Sequence, residues 1–188
     1  MTGDTFTPAF LRAFAIVVGE EGGFGATASD PGNWTGGAVG EGVLRGTKFG
    51  ISAGEYPTLD IEHITLDDAR AIYLRDYWSH VRGDDVPAPL ALLVFDAAVN
   101  NSPARAVEWL QEAVGAAVDG VFGDKTLGAM NDAVAAHGGA WVCAEMLARR
   151  TDFMARLPTW GTFGLGWARR LCALPYKSLT MPGASASA

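Results

Sequence analysis

A glycine-rich stretch near the front of the chain constrains its fold more than any other feature. Between Gly23 and Pro57 there are ten glycines, few long aliphatic side chains, and the run Asp30-Pro31-Gly32-Asn33-Trp34. Glycine at this density is too costly in backbone entropy for a helix and marks turns instead. The stretch therefore reads as a long loop with short strands around Val43–Leu44 and Lys48–Ile51. Loops of this length inside a compact domain usually carry function.

The rest of the chain is patterned for helices. Phe10, Phe14 and Val17 recur at helical spacing, which predicts a helix from Pro8 to Glu21 stopped by Gly22-Gly23. Thr65 is placed to cap a helix over Leu66–Trp78, with Asp67 and Asp68 in its first turn. Further helices are expected over Ala88–Asn100, from Ser102-Pro103 to Val114, over Lys125–Ala136 and Ala140–Leu157, and over Phe163–Leu174 before Pro175. The small, polar tail from Pro182 is expected to fray. With no repeat and no linker, the expected fold class is mainly α, with a small β-hairpin and glycine-rich loop region after the first helix.

Composition narrows the function. The 188 residues are 49% hydrophobic and 19% charged, which excludes a disordered chain, and no apolar run approaches the ~18–20 residues that span a bilayer. The formal charge is −7 with Lys and Arg scattered, so the basic stripe of a nucleic-acid binder is missing. Cys143 and Cys172, 29 positions apart, read as buried thiols rather than a bridge or a zinc site. His63, His80 and His137 match no metal spacing, and Asp119-Gly120 to Asp124 lacks the alternating ligands of a calcium loop. Neither metal nor organic cofactor is expected. Asp4 and Arg12 interrupt what would have to be a secretory leader, so the protein is expected to be made in a bacterial cytoplasm without one.

Among groups that carry chemistry, Glu21 is prominent. The helical series places it on the face of Phe10, Phe14 and Val17 and at a helix C-terminus. Desolvation and the macrodipole both favour the protonated carboxyl there, as a general acid in glycoside cleavage requires. The rival reading is that Glu20 and Glu21 are solvated residues at a helix end. Asp30, nine residues on, offers a second carboxylate, and Asp-Pro-Gly is also an ordinary turn. Thr35 and Thr47 are loop hydroxyls beside glycines that can orient Asp30 or a water, or serve as turn residues.

Several ordered segments resemble a known family. Glu21-Gly22-Gly23-Phe24, Asp30-Pro31-Gly32 and Gly46-Thr47-Lys48-Phe49-Gly50-Ile51-Ser52 are followed by Tyr56-Pro57, Leu66 to Ala69, Ile72-Tyr73, Asp76-Tyr77-Trp78 and Phe95-Asp96…Val99-Asn100. This order resembles glycoside hydrolase family 108, lysozyme-like N-acetylmuramidases of bacteria, phages and prophages. Leu110-Gln111, Asp119-Gly120-Val121-Phe122-Gly123 and Thr126-Leu127 resemble the peptidoglycan-binding segment that follows that catalytic region. The resemblance covers residues 8–175. It implies a lysozyme-like helical fold, with a catalytic muramidase region over 1–101, a helical peptidoglycan-binding segment over 102–180 packed into one compact unit, and a tail over 181–188.

The same resemblance implies Glu21 as the catalytic acid, with Asp30 and Thr47 supporting it. Extra residues over Asn33–Arg45 depart from the family pattern and keep Thr35 open beside Thr47. Asp96 and Asn100 share a helix face and offer hydrogen bonds to glycan groups; alternatively Asp96 pairs with an arginine and Asn100 ends the helix. Trp34 and Tyr77, with Tyr73 and Trp78, offer flat surfaces to sugar rings, against a role in the core. The implied activity is cleavage of the β-1,4 bond between N-acetylmuramic acid and N-acetylglucosamine, by a phage or phage-like endolysin. Peptidoglycan is the implied partner of a monomer that reaches the wall through holin-type release, lysis or particle delivery. The rivals are a lytic transglycosylase, a non-catalytic wall-binding or secretion-assisting module, and an amidase or peptidase, for which neither metal ligands nor a Cys/His pair is found.

Overall fold

The computed structural model describes residues 6–19 and 22–180. The chain forms two compact units, one of Phe14–Tyr73 and one of the residues up to Ala13 together with those from Leu74 onward. Seven α-helices and a single two-stranded antiparallel hairpin make up the regular structure of the described residues, so the protein is mainly α as its sequence predicts.

The helical unit is built around α3, Ala88–Asn100, in which every residue from Leu90 to Ala98 is buried. A helix that is apolar on all sides must be surrounded. Accordingly α4 (Pro103–Val114), α6 (Gly139–Ala155) and α7 (Trp160–Ser178) all pack against α3, and α5 (Asp124–His137) packs on α4 and α6. Phe10, Trp78 and Phe95 form a fully buried edge-to-face cluster with ring centroids 5.4–6.2 Å apart. Burial of each such side chain stabilises the unit by about 1.5–3 kcal/mol. The start of α4 follows the sequence expectation: Ser102 accepts the Arg105 N–H at 3.2 Å and Pro103 occupies the first turn.

Three helix boundaries differ from the sequence reading. The first helix, α1, spans Pro8–Val17 rather than reaching Glu21. Val18 and Gly19 both donate to the Phe14 carbonyl, and Gly19 takes φ +86°, a left-handed terminus that favours glycine. The helical face of Phe10 and Phe14 therefore closes before Glu21. The second helix, α2, ends at Tyr73 and continues as a π-helical segment over Leu74–Trp78. Finally, α7 starts at Trp160 and runs through Pro175 to Ser178. The proline removes one donor, yet buried Leu171, Leu174 and Ser178 anchor the helix on both sides of it. The tail after Thr180 lies outside the described residues.

The other unit holds the glycine-rich loop. Its hairpin pairs β1, Thr47–Lys48, with β2, Ile51–Ser52. Phe49 and Gly50 make the turn, with φ of +51° and +74°, the double positive φ that a tight type I′ connection needs. The first strand predicted from sequence, Val43–Leu44, is reduced to an isolated bridge between Leu44 and Trp34. Ile51, Ala53, Ile61, Ile64, Ala69 and Ile72 form this unit's own small core, with Phe14 and Tyr73 in edge-to-face contact at 5.4 Å. At the start of α2, Thr65 and Asp68 bond each other reciprocally. The Thr65 amide and hydroxyl donate to the Asp68 carboxylate at 2.8 and 2.7 Å, and the Asp68 amide donates back to the Thr65 hydroxyl at 3.1 Å. These bonds hold the Asp68 carboxyl below its ordinary range.

Candidate active site

Asn33 is the hub of the glycine-rich loop. It is 3% exposed, so both ends of its amide require partners. Its Nδ2 donates to the Thr27 carbonyl at 3.0 Å, and its Oδ1 accepts the Thr47 hydroxyl at 2.7 Å. Its own carbonyl takes the amides of Arg45 and Gly46 at 2.9 and 3.0 Å. One residue thus ties three strands of loop together and fixes where the Thr47 hydroxyl sits. The single O–H of that side chain is engaged by Asn33, so only its lone pairs remain for a water or substrate donor.

Asp30 caps the short turn Pro31–Asn33, accepting the Gly32 amide at 2.9 Å, and the residue is exposed. The Asp-Pro-Gly turn of the sequence reading is therefore present, with the carboxylate on its solvent side. Thr47 also pairs through its backbone with Gly25, in two bonds of 2.7 and 2.9 Å. Thr35, the alternative to Thr47, accepts the Val43 amide at 2.9 Å and closes the Thr35–Val43 excursion. Trp34 is half-buried and donates its indole N–H to the Ala28 carbonyl at 2.8 Å, which fixes the ring within the loop.

Glu21 lies outside the described residues, but its neighbour Gly22 does not. A Cβ on Gly22 would sit 2.7 Å from the Phe49 Cα, so Gly22 makes a close backbone approach to the β1–β2 turn, whereas Gly23 has open space around it. The Tyr73 hydroxyl donates to the Phe49 carbonyl at 3.2 Å on that same turn. Burial, reinforced by the negative charge of Glu55, pushes the Tyr73 phenol up to about 12. Tyr73 therefore stays a neutral donor across the physiological range.

Tyr77, Asp96 and Asn100 belong to the helical unit. Tyr77 is half-buried in the π-helical segment. Asn100 turns its amide back to the Asp96 carbonyl of its own helix at 2.8 Å. Asp96 is 0% exposed, and both carboxylate oxygens are occupied: Arg150 donates to Oδ2 at 2.6 Å, and Arg170 donates to Oδ1 through Nε at 2.8 Å and through Nη2. A sugar hydroxyl has no route to such a carboxylate, so the glycan-binding reading of Asp96 gives way to the arginine pairing. The cause is the near-complete burial of α3, which its sequence period alone does not reveal.

Sequence reasoning missed Asn33, because an Asn in a Gly-rich turn looks like a turn former. Both cysteines are free thiols; Cys143 is half-buried, whereas Cys172 is exposed rather than buried as the sequence reading had it. Among the described residues no group of three or more His, Cys, Asp and Glu is placed to hold a metal, and no helix is long and apolar enough to cross a membrane.

A mostly helical fold with one small antiparallel hairpin among the described residues is that of the lysozyme-like class. Residues 14–101 match the family model described as glycosyl hydrolase 108, and residues 105–172 match one described as a predicted peptidoglycan domain. The first region thus carries a glycosyl hydrolase 108 domain and the second a peptidoglycan domain. Among solved structures it is similar to one titled "Structure of Brucella abortus SagA", with 29% sequence identity and a TM-score of 0.73 over 95% of this chain and 98% of that one. No curated protein sequence matches this chain. These findings support a glycoside hydrolase that acts on peptidoglycan.

The two matched regions meet inside the helical unit. α3 closes the glycosyl hydrolase region, whereas α6 and most of α7 belong to the peptidoglycan domain. The Asp96–Arg150–Arg170 cluster ties the first of these helices to the other two.

Proposed function

We propose that the protein is a lysozyme-type muramidase that cuts the β-1,4 bond between N-acetylmuramic acid and N-acetylglucosamine. Glu21 gives its proton to the glycosidic oxygen as the bond to the anomeric carbon breaks. Asp30 either activates the incoming water or offsets the positive charge that develops on the sugar ring, and the Thr47 lone pairs hold that water. The observation that carries this reading is the Asn33–Thr47 hydrogen bond on the same hairpin that Gly22, the residue next to Glu21, approaches closely. With it, the exposed Asp30 carboxylate stands on the turn that Asn33 closes.

The biological setting that fits is a phage or phage-like endolysin, acting as a monomer. In that setting it reaches the wall by holin-type release, lysis or particle delivery. Mass spectrometry of purified peptidoglycan treated with wild type and with Glu21→Gln tests the proposal. Reducing muramic-acid ends from wild type and none from the variant are expected. Anhydro ends would assign the chain to the lytic transglycosylases, and an intact wall with wild type would make it a binding module.

A further inference from the structure

The peptidoglycan domain contains an open groove of about 520 Å³ between α4, α5 and α6. That size lies within the ~300–1,000 Å³ typical of small-ligand sites. Its floor is shallow, because Ala129, Ala133 and Ala136 present only methyl groups along one face of α5. At one end His137 and Trp141, joined through the α5–α6 corner, stack with ring centroids 4.4 Å apart and planes 35° from parallel. Trp141 is 39% exposed, a large apolar ring held rigid by its neighbour yet left open to solvent. Glu112 of α4 and, next to the alanines on α5, Asp132 also line the groove.

We propose that this groove holds the glycan strand of peptidoglycan, with an N-acetylhexosamine ring lying on Trp141 and its hydroxyls donating to Glu112 and Asp132. The proposal rests on peptidoglycan being the substrate and adds where, and by which part of the polymer, the second domain is held. The apolar C–H face of a pyranose matches an exposed indole, as aromatic sites of this kind combine apolar contact with rim hydrogen bonds. Charge separates the glycan from the peptide stems. Carboxylates accept from neutral hydroxyls, whereas the anionic carboxylates of the stems are repelled by two acids in a protein of net charge −7. Arg149, whose Nε lies 3.9 Å from Glu112, is also engaged by Glu145 at 2.6 Å, so its single charge stands beside two carboxylates and does not reverse that sign.

The test uses the full chain carrying Glu21→Gln, so that binding to purified sacculi is read apart from hydrolysis. Adding Trp141→Ala is expected to weaken binding about tenfold or more, the scale of one lost aromatic contact, while Trp141→Phe stays close to the parent. Asp132→Asn, a change of an exposed residue that leaves the fold unaffected, is expected to weaken binding several-fold. Oligomers of N-acetylglucosamine compete with sacculi for the parent protein, and isolated stem peptide does not. Competition by stem peptide alone, or Trp141→Ala binding as the parent does, overturns the groove assignment. Wild type that neither binds nor cleaves sacculi overturns the functional reading itself.

Discussion

Replacing Asp96 with alanine removes one carboxylate and leaves two guanidiniums without their common partner. The two arms are unequal. Arg150 is 2% exposed, so its charge cannot be rehydrated once Asp96 is gone, whereas the Arg170 side chain is 40% exposed and can turn to water. An uncompensated buried charge costs about 3–5 kcal/mol, and loss of the solvent-screened arm adds about 0–1 kcal/mol. Burial already disfavours the charged form of Arg150, against the pull of Asp96. For a domain of this size roughly 2–4 °C is lost per kcal/mol, so melting is expected to fall by roughly 6–24 °C. Arg170→Ala is expected to shift it by no more than a few degrees. The double variant Asp96→Leu with Arg150→Met leaves no buried charge and is expected to recover most of the loss. Thermal unfolding followed by circular dichroism distinguishes these cases. A shift below about 2 °C for Asp96→Ala, or a double variant less stable than the single one, would refute the account of a buried arginine needing its acid.

Three further outcomes follow from the loop and its neighbours. Thr47→Val leaves the buried Asn33 Oδ1 without its donor, which is expected to cost about 1–3 kcal/mol and to lower turnover more than the Ser variant at the same position; unfolding and initial rates on the wall check it. Gly22→Ala forces a methyl against the Phe49 backbone and is expected to reduce turnover at unchanged wall binding, read as kcat against sacculus affinity. The Asp68 carboxyl is held below its ordinary value of 3.8 by bonds to Thr65, so its contribution to stability is complete above that value and disappears as pH falls through the lower folded-state value. Denaturant midpoints between neutral pH and pH ~2 should therefore fall more for wild type than for Asp68→Asn.

The sequence by itself determined the local structure. Ser102-Pro103 opens α4, Thr65 with Asp68 opens α2, and the glycines over 23–57 forbid a helix and demand turns, because capping and backbone freedom act within a few residues. The ordered Glu-Gly-Gly, Asp-Pro-Gly and Gly-Thr-Lys-Phe-Gly motifs likewise pointed to the glycosyl hydrolase 108 model that residues 14–101 match. Only the tertiary structure decided what distant groups do to each other. Asp96 reads the same in sequence whether it faces a cleft or an arginine 54 positions away, and burial of α3 settled it for Arg150 and Arg170. Asn33 became the organiser of the loop because the fold brought Thr47 within 2.7 Å of its buried amide. Helix ends, strand register and the fate of buried polar groups depend on partners far along the chain, and the free energy that fixes them is absent until those partners meet.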